Sequence, residues 1–165
     1  MVRTHRYASL ACALLLAACA SGPDISTDGV NETVTPRQAS VEIDVRGDQV
    51  LWGGTIVNST NLENSTRLEV LGYPLDGSQR PETSAEPTGR FMAMEKGYLE
   101  TVDYGQGRLV TIKGALNETR EGAIGDADYT YPVLQADQIY LWPAESDAAR
   151  RDSGINFGFG IGILF

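Results

Sequence analysis

The residues that most often carry chemistry are scarce in this chain and poorly grouped. Its one histidine, His5, lies in the first twenty residues with Cys12 and Cys19, the only two cysteines. If a leader containing His5 is removed, a Ser-His-Asp triad, a Cys-His pair and histidine-based zinc or iron sites are excluded within one chain. Acids are plentiful, with 22 Asp+Glu against 13 Lys+Arg. Paired carboxylates for glycoside hydrolysis therefore stay open on residue type, although no spacing selects a pair. Asp126-Ala127-Asp128 after Gly125 looks like a calcium loop but lacks the further ligands and closing glutamate of an EF-hand, so it reads as a solvated turn. With Glu118 and Glu121 it forms an acidic stretch suited only to weak collection of divalent cations. Gly105-Gln106-Gly107 precedes a strand, whereas a phosphate loop needs a following helix. No catalytic residue, metal site or cofactor is assigned. Tyr104 and Tyr129, in Gly/Asp-rich loops, are the side chains best placed to stack on a ligand. The remaining aromatics, Trp52 and Trp142 among them, fall at strand positions and suit core and cross-strand pairs.

The clearest chemical signal is an address. Arg3 and Arg6 precede an apolar run from Ala8 to Ala18, too short to span a membrane as a helix and typical of a secretory leader. Leu16-Ala17-Ala18-Cys19 resembles the bacterial lipobox, which implies cleavage before Cys19, a diacylglyceryl group on its sulfur and acylation of its new amine. Ala20 and Ser21 follow, and the lack of an aspartate after the cysteine implies sorting to the outer membrane. Two or three acyl chains, at about 0.8 kcal/mol per buried CH₂, anchor a protein stably. Residues 1–18 carry Arg3, Arg6 and no acid, so their removal moves the net charge from −9 to −11. That balance argues against a nucleic-acid partner.

The elements that must position these residues are strands. Residues 19–35 are polar, with Gly22, Pro23 and Gly29, and read as a lipidated, flexible tether. Pro36-Arg37-Gln38 suits a short helical turn capped by Thr35. Beyond it, short β-branched runs alternate with turn signals. Val41, Ile43 and Val45 alternate with acids, and Val50 to Val57 form a second run interrupted by Gly53-Gly54, a bulge or sharp bend. Further strands are predicted over 66–75, 90–94, 109–116 and 131–142. Closing such bent strands on themselves removes exposed edges. The expected fold is all-β: a small, mainly antiparallel barrel, OB-like, with a small sandwich as the alternative. The expected organisation is a signal peptide over 1–18, a lipidated tether over 19–35, a barrel over 36–145, and a linker with a C-terminal strand over 146–165.

Several local motifs occur together. Trp52-Gly53-Gly54-Thr55-Ile56, Thr66-Arg67-Leu68-Glu69-Val70, Tyr73-Pro74-Leu75-Asp76, Gly89-Arg90-Phe91, Gly107-Arg108-Leu109-Val110-Thr111 and Tyr131-Pro132-Val133 follow the lipobox in order. In this the chain resembles the Slp family of outer-membrane lipoproteins. The resemblance implies outer-membrane attachment and a link to starvation, and it supplies no catalytic residues. Tyr98-Leu99-Glu100-Thr101 departs from the family pattern, which would place Asp-Pro after the leucine.

Ile155, Phe157, Phe159, Ile161, Ile163 and Phe165 alternate with Asn156, Gly158, Gly160, Gly162 and Leu164. A period of two over eleven residues is a strand, and eleven tilted residues can cross a bilayer. Three roles stand open for it: completing the domain's sheet, capturing an envelope protein or a second copy through residues 153–165, or entering the membrane in a multi-subunit barrel. The functional expectation is a non-catalytic structural or interaction module of the envelope, anchored to outer-membrane lipid by acylated Cys19 with its domain in the periplasm. The alternative is an OB-like module that binds a small molecule or envelope glycan.

Overall fold

Glycines at 53 and 54 let one strand serve two neighbours, and the architecture follows from that. The computed structural model describes residues 22–144 apart from Asp24 and Ile43. Five strands, β1 (Gln49–Asn61), β2 (Ser65–Tyr73), β3 (Gly89–Lys96), β4 (Leu109–Ile124) and β5 (Ala127–Leu141), close a barrel in the order β1-β2-β3-β5-β4. This is the strand order of an OB-type barrel. β1 pairs with β2 over Gly53–Asn61 and with β4 over Gln49–Thr55, so Gly53, Gly54 and Thr55 have neighbours on both sides. A Cβ on Gly54 would run into the Leu71 carbonyl, and one on Gly53 would lie 2.8 Å from the Val110 carbonyl. Only glycine lets both neighbouring backbones come so close. Every pairing is antiparallel except β3 with β5, which run parallel over Met92–Met94 and Val133–Gln135.

Alternation sends one side chain in two to the interior. Val50, Trp52, Ile56, Leu68, Val70, Phe91, Ala93, Val110, Ile112, Leu116, Leu134 and Ala136 make one core, with Trp52 and Phe91 edge to face at 5.2 Å. Each large side chain buried this way contributes about 1.5–3 kcal/mol, and together they fill the barrel with protein.

Val41 and Val45, expected to alternate along a strand, lie in turns instead, and Ile43 between them is outside the described residues. Val41 is 78% exposed, and the amides of Val41 and Glu42 both bond to the Gln38 carbonyl at the end of α1 (Pro36–Ala39). Instead the segment is a run of turns after α1, with Val45 packed against the core and the Gly47 amide bonded to the Leu116 carbonyl. α1 itself opens as expected: Thr35 and Gln38 form a capping box, with Pro36 in the first turn.

β4 and β5 outrun the barrel. After a register shift between Leu116 and Glu118 they continue as a two-stranded arm to Ile124 and Ala127. Gly125, with φ +60°, turns the arm around as the first central residue of a tight hairpin. The expected turn stands at Gly125-Asp126, and the acidic residues on either side of it belong to paired strand ends. The arm lies over the outer side of β3, where Met92, Tyr131 and Val133 form a second cluster with Met94, Ile124 and Tyr129.

Candidate binding cleft

The second half of the expected tether is docked against the barrel. Ile25 and Val34 are buried, at 3% and 8% exposure, and residues 25–35 form a strap along the barrel side. Val30 bridges to Gln49, and the Asn31 amide donates to the Gln49 carbonyl at 2.7 Å. Asn31 Nδ2 donates to Asp48 Oδ2 at 2.8 Å, and Trp52 Nε1 donates to the Val34 carbonyl at 2.8 Å. Lys113 Nζ reaches the Ser26 carbonyl at 2.7 Å. The physical reason is that Ile25 and Val34, interspersed among polar residues, find apolar surface at the flank of the strap.

Between the strap, the start of β1 and the end of β2 lies a cleft of about 550 Å³. Val30, Val34, Leu51, Trp52, Tyr73 and Leu75 supply apolar walls, and Glu32, Asp76, Gln79 and Thr88 supply polar atoms. That mixture and volume match the usual small-ligand site.

The loop after β2 shapes one wall. Leu75 bridges to Pro81, and the Asp76 amide donates to the Arg80 carbonyl. Asp76 Oδ1 accepts from the Ser78 amide at 2.7 Å, the Ser78 hydroxyl at 2.6 Å and the Arg80 amide at 3.0 Å. These bonds, the Ser78 hydroxyl foremost, hold the Asp76 carboxyl below the usual carboxylate range. The tight turn forces Gln79 to φ +65°, the one positive φ among described non-glycine residues. Gln79 Nε2 donates to the Ile25 carbonyl at 2.8 Å, and its backbone carbonyl accepts from Thr111 Oγ1 at 2.7 Å. Its Oε1 is buried with no partner. Its strained backbone and unmet acceptor set Gln79 apart from the other residues of the cleft wall.

The expected stacking residues lie elsewhere, and apart. Tyr104 folds back on the core, its amide bonded to the Glu100 carbonyl, and burial raises its phenol pKa. Tyr129 belongs to the outer cluster: its hydroxyl accepts from the Arg90 amide at 2.9 Å, and its ring meets Tyr131 edge to face at 4.7 Å. Both are half-buried and used in packing, so they do not form one exposed surface. In the acidic stretch, Glu118 pairs with Arg120 at 3.1 Å and Glu121 accepts from Thr130. No three His, Cys, Asp or Glu side chains converge among the described residues. Cys19, Ala20 and Ser21, and the strand residues Ile155, Phe157, Phe159, Ile161, Ile163 and Phe165, lie outside the described residues. Sequence reasoning missed Gln79. Its signal was Asp76-Gly77-Ser78, which is Asx-turn chemistry, but the strap it contacts is 54 positions away.

An OB-type barrel behind a lipoprotein leader defines the class: an outer-membrane lipoprotein with a β-barrel domain. More particularly, the family model described as the outer membrane lipoprotein Slp family matches residues 16–158, and the chain belongs to that family. It is 42% identical over 94 residues to an uncharacterized protein of Haemophilus influenzae, covering 56% of this chain and 51%, about half, of that protein's length. It is 32% identical over 135 residues to the uncharacterized lipoprotein YeaY of Escherichia coli, covering 79% of this chain and 68% of YeaY. Outer membrane protein Slp of Escherichia coli is 29% identical over 158 residues, covering 92% of this chain and 81% of that protein.

Proposed function

We propose that this lipoprotein is a non-catalytic binding module of the envelope. Acylated Cys19, with Ala20 and Ser21 permitting outer-membrane sorting, anchors it, and its barrel faces the periplasm. A small molecule or glycan fragment with an apolar face occupies the strap cleft. The supporting observation is a 550 Å³ cleft whose apolar walls, Leu51, Trp52, Tyr73 and Leu75 among them, also carry the polar side chains of Glu32, Asp76, Gln79 and Thr88. The stress or starvation setting implied by the family resemblance belongs to this reading.

Thermal melts of the detergent-extracted lipoprotein across a panel of envelope glycans and small metabolites test it. A binder held at a hundred times its Kd stabilises the fold by about 2.7 kcal/mol. Tyr73→Ala, which opens the cleft wall, should abolish that gain. A panel without a saturable shift in the wild type would retire the cleft as a binding site.

A second reading is favoured by the arm. From Asn117 to Ile124, β4 pairs with β5 alone among the described residues, so its other edge is open. Open edges accept strands from partners, and residues 153–165 are the strand this chain would offer to a second copy. Light scattering on the full chain and on a chain stopped at Asp152 separates the cases. An oligomer that becomes monomeric on truncation supports assembly, and monomers in both refute it.

A further inference from the structure

The barrel carries a second cavity, of about 420 Å³, on the far side of the Asp76–Pro81 loop from the strap cleft. Thr55, Arg80, Thr83, Arg108, Leu109 and Pro143 line it, and no carboxylate among the described residues does. In a chain of net charge −9, two guanidinium groups in one cavity with no acid among the described residues is an uneven arrangement.

Both cations are held in place. Arg108 donates Nη1 to the Asp103 carbonyl at 2.9 Å and Nη2 to the Trp142 carbonyl at 3.0 Å. Its Nε is buried with no hydrogen-bond partner. Arg80 lies over the Trp142 ring, 5.0 Å from its centroid, a cation–π contact that fixes its position without spending its N–H groups. The ion pairs among the described residues are Arg90–Glu69 and Arg120–Glu118, so no described acid forms one with Arg80 or Arg108. A buried charged donor left unmet is unfavourable, and Arg108 is one of the two cations that line this cavity.

We infer that this cavity binds a phosphate group. Two guanidiniums and two threonine hydroxyls present four donor groups, more than the two oxygens of a carboxylate can use and well matched to the oxygens of a phosphomonoester. Guanidinium donors suit phosphate geometry. The volume exceeds that of inorganic phosphate alone, and Leu109 and Pro143 provide an apolar flank for whatever the phosphate is attached to. The site is separate from the strap cleft and does not depend on the function proposed for it.

The test is titration of the full-length lipoprotein in neutral detergent with inorganic phosphate, read by the side-chain Nε–H resonances of Arg80 and Arg108. Saturable shifts of these resonances are expected. Arg80→Gln, which leaves the Arg108 carbonyl bonds intact, should weaken phosphate at least tenfold. Arg108→Gln should do the same if it folds, and Arg80→Gln decides the matter if it does not. Acetate at equal ionic strength should give no saturation. Equal shifts with acetate, or no change in Arg80→Gln, would overturn the assignment. So would phosphate binding seen only in the Glu145→Gln/Asp147→Asn double variant, because the chain's own carboxylates would then be the occupants. Soluble phosphate and lipid headgroups are separated by vesicles of phosphatidylcholine with and without phosphatidic acid. Resonance shifts that require phosphatidic acid identify a headgroup. Shifts produced by free phosphate, with none added by phosphatidic acid, identify a soluble ligand.

Discussion

Trp52 joins the barrel core to the strap, and Trp52→Phe separates those two roles. The phenyl ring keeps much of the edge-to-face contact with Phe91 but cannot donate to the Val34 carbonyl, now met at 2.8 Å. Val34 is 8% exposed, so its carbonyl would be stranded at about 1–3 kcal/mol. The void left by the smaller ring adds about 1 kcal/mol, for a total of about 2–4 kcal/mol by guanidinium denaturation. The stranded carbonyl acts on the strap, so its share should also appear locally. The amides of Asn31 and Arg37, bonded to the carbonyls of Gln49 and Thr88, should exchange roughly 5–150-fold faster, the equivalent of 1–3 kcal/mol. The Leu116 amide, bonded to the Asp48 carbonyl at the barrel wall, should change only as global stability does. If stability falls by the full amount while Asn31 and Arg37 keep their relative protection, the indole does not hold the strap and the reasoning fails.

Three further outcomes follow from geometry. Gly54→Ala drives a Cβ into the Leu71 carbonyl, so it should cost about 3 kcal/mol or more and yield little folded protein by circular dichroism. Gly77→Ala, with nothing within 4 Å, is its near-neutral control. Tyr131 donates its hydroxyl to Glu69 Oε1 at 3.1 Å, and Tyr131→Phe should cost about 1–2 kcal/mol in urea unfolding. Burial, then the Glu69 charge, raise the Tyr131 pKa. The folded chain therefore keeps this proton to higher pH than the unfolded chain, and stability should decline above about pH 10 in the wild type and less steeply in Tyr131→Phe. Asp76 is displaced the opposite way, its pKa lowered by Ser78 and Arg80. Its contribution is complete above the ordinary carboxylate value near pH 4 and is lost as pH falls through the lowered one. Urea midpoints at pH 6 and pH 3 should therefore differ less in Asp76→Asn than in the wild type.

Where neighbours in sequence are neighbours in space, the fold was legible. The alternation of Leu68 and Val70 in β2 and of Val110 and Ile112 in β4, with the paired glycines of β1, placed the strands and pointed to closure. Val41 and Val45 carried the same alternation and failed, because alternation reports a pleat and says nothing of whether an edge is free to pair. Glu118 to Asp128 hid the arm, since its charged, exposed residues carry no apolar alternation by which a strand is read. Tyr104 and Tyr129 looked exposed because glycines and acids surround them, while the surfaces that bury them come from elements distant in the chain. The strap cleft was invisible for a related reason. Gln79 meets Ile25, and Trp52 meets Val34, only after the barrel has closed.

The double pairing of β1 also sets an order of events in time. β2 follows β1 directly, but the Gln49–Thr55 half of β1 waits for β4, which begins at Leu109. An outer-membrane lipoprotein is exported from its N-terminus, so β1 emerges long before the strand that completes it. Non-local pairing of this kind closes slowly, and throughout that wait an edge carrying Val50 and Trp52 is a template for any other extended chain. The strap is bound by the same schedule, because Ile25 and Val34 have nothing to dock on until the barrel wall exists.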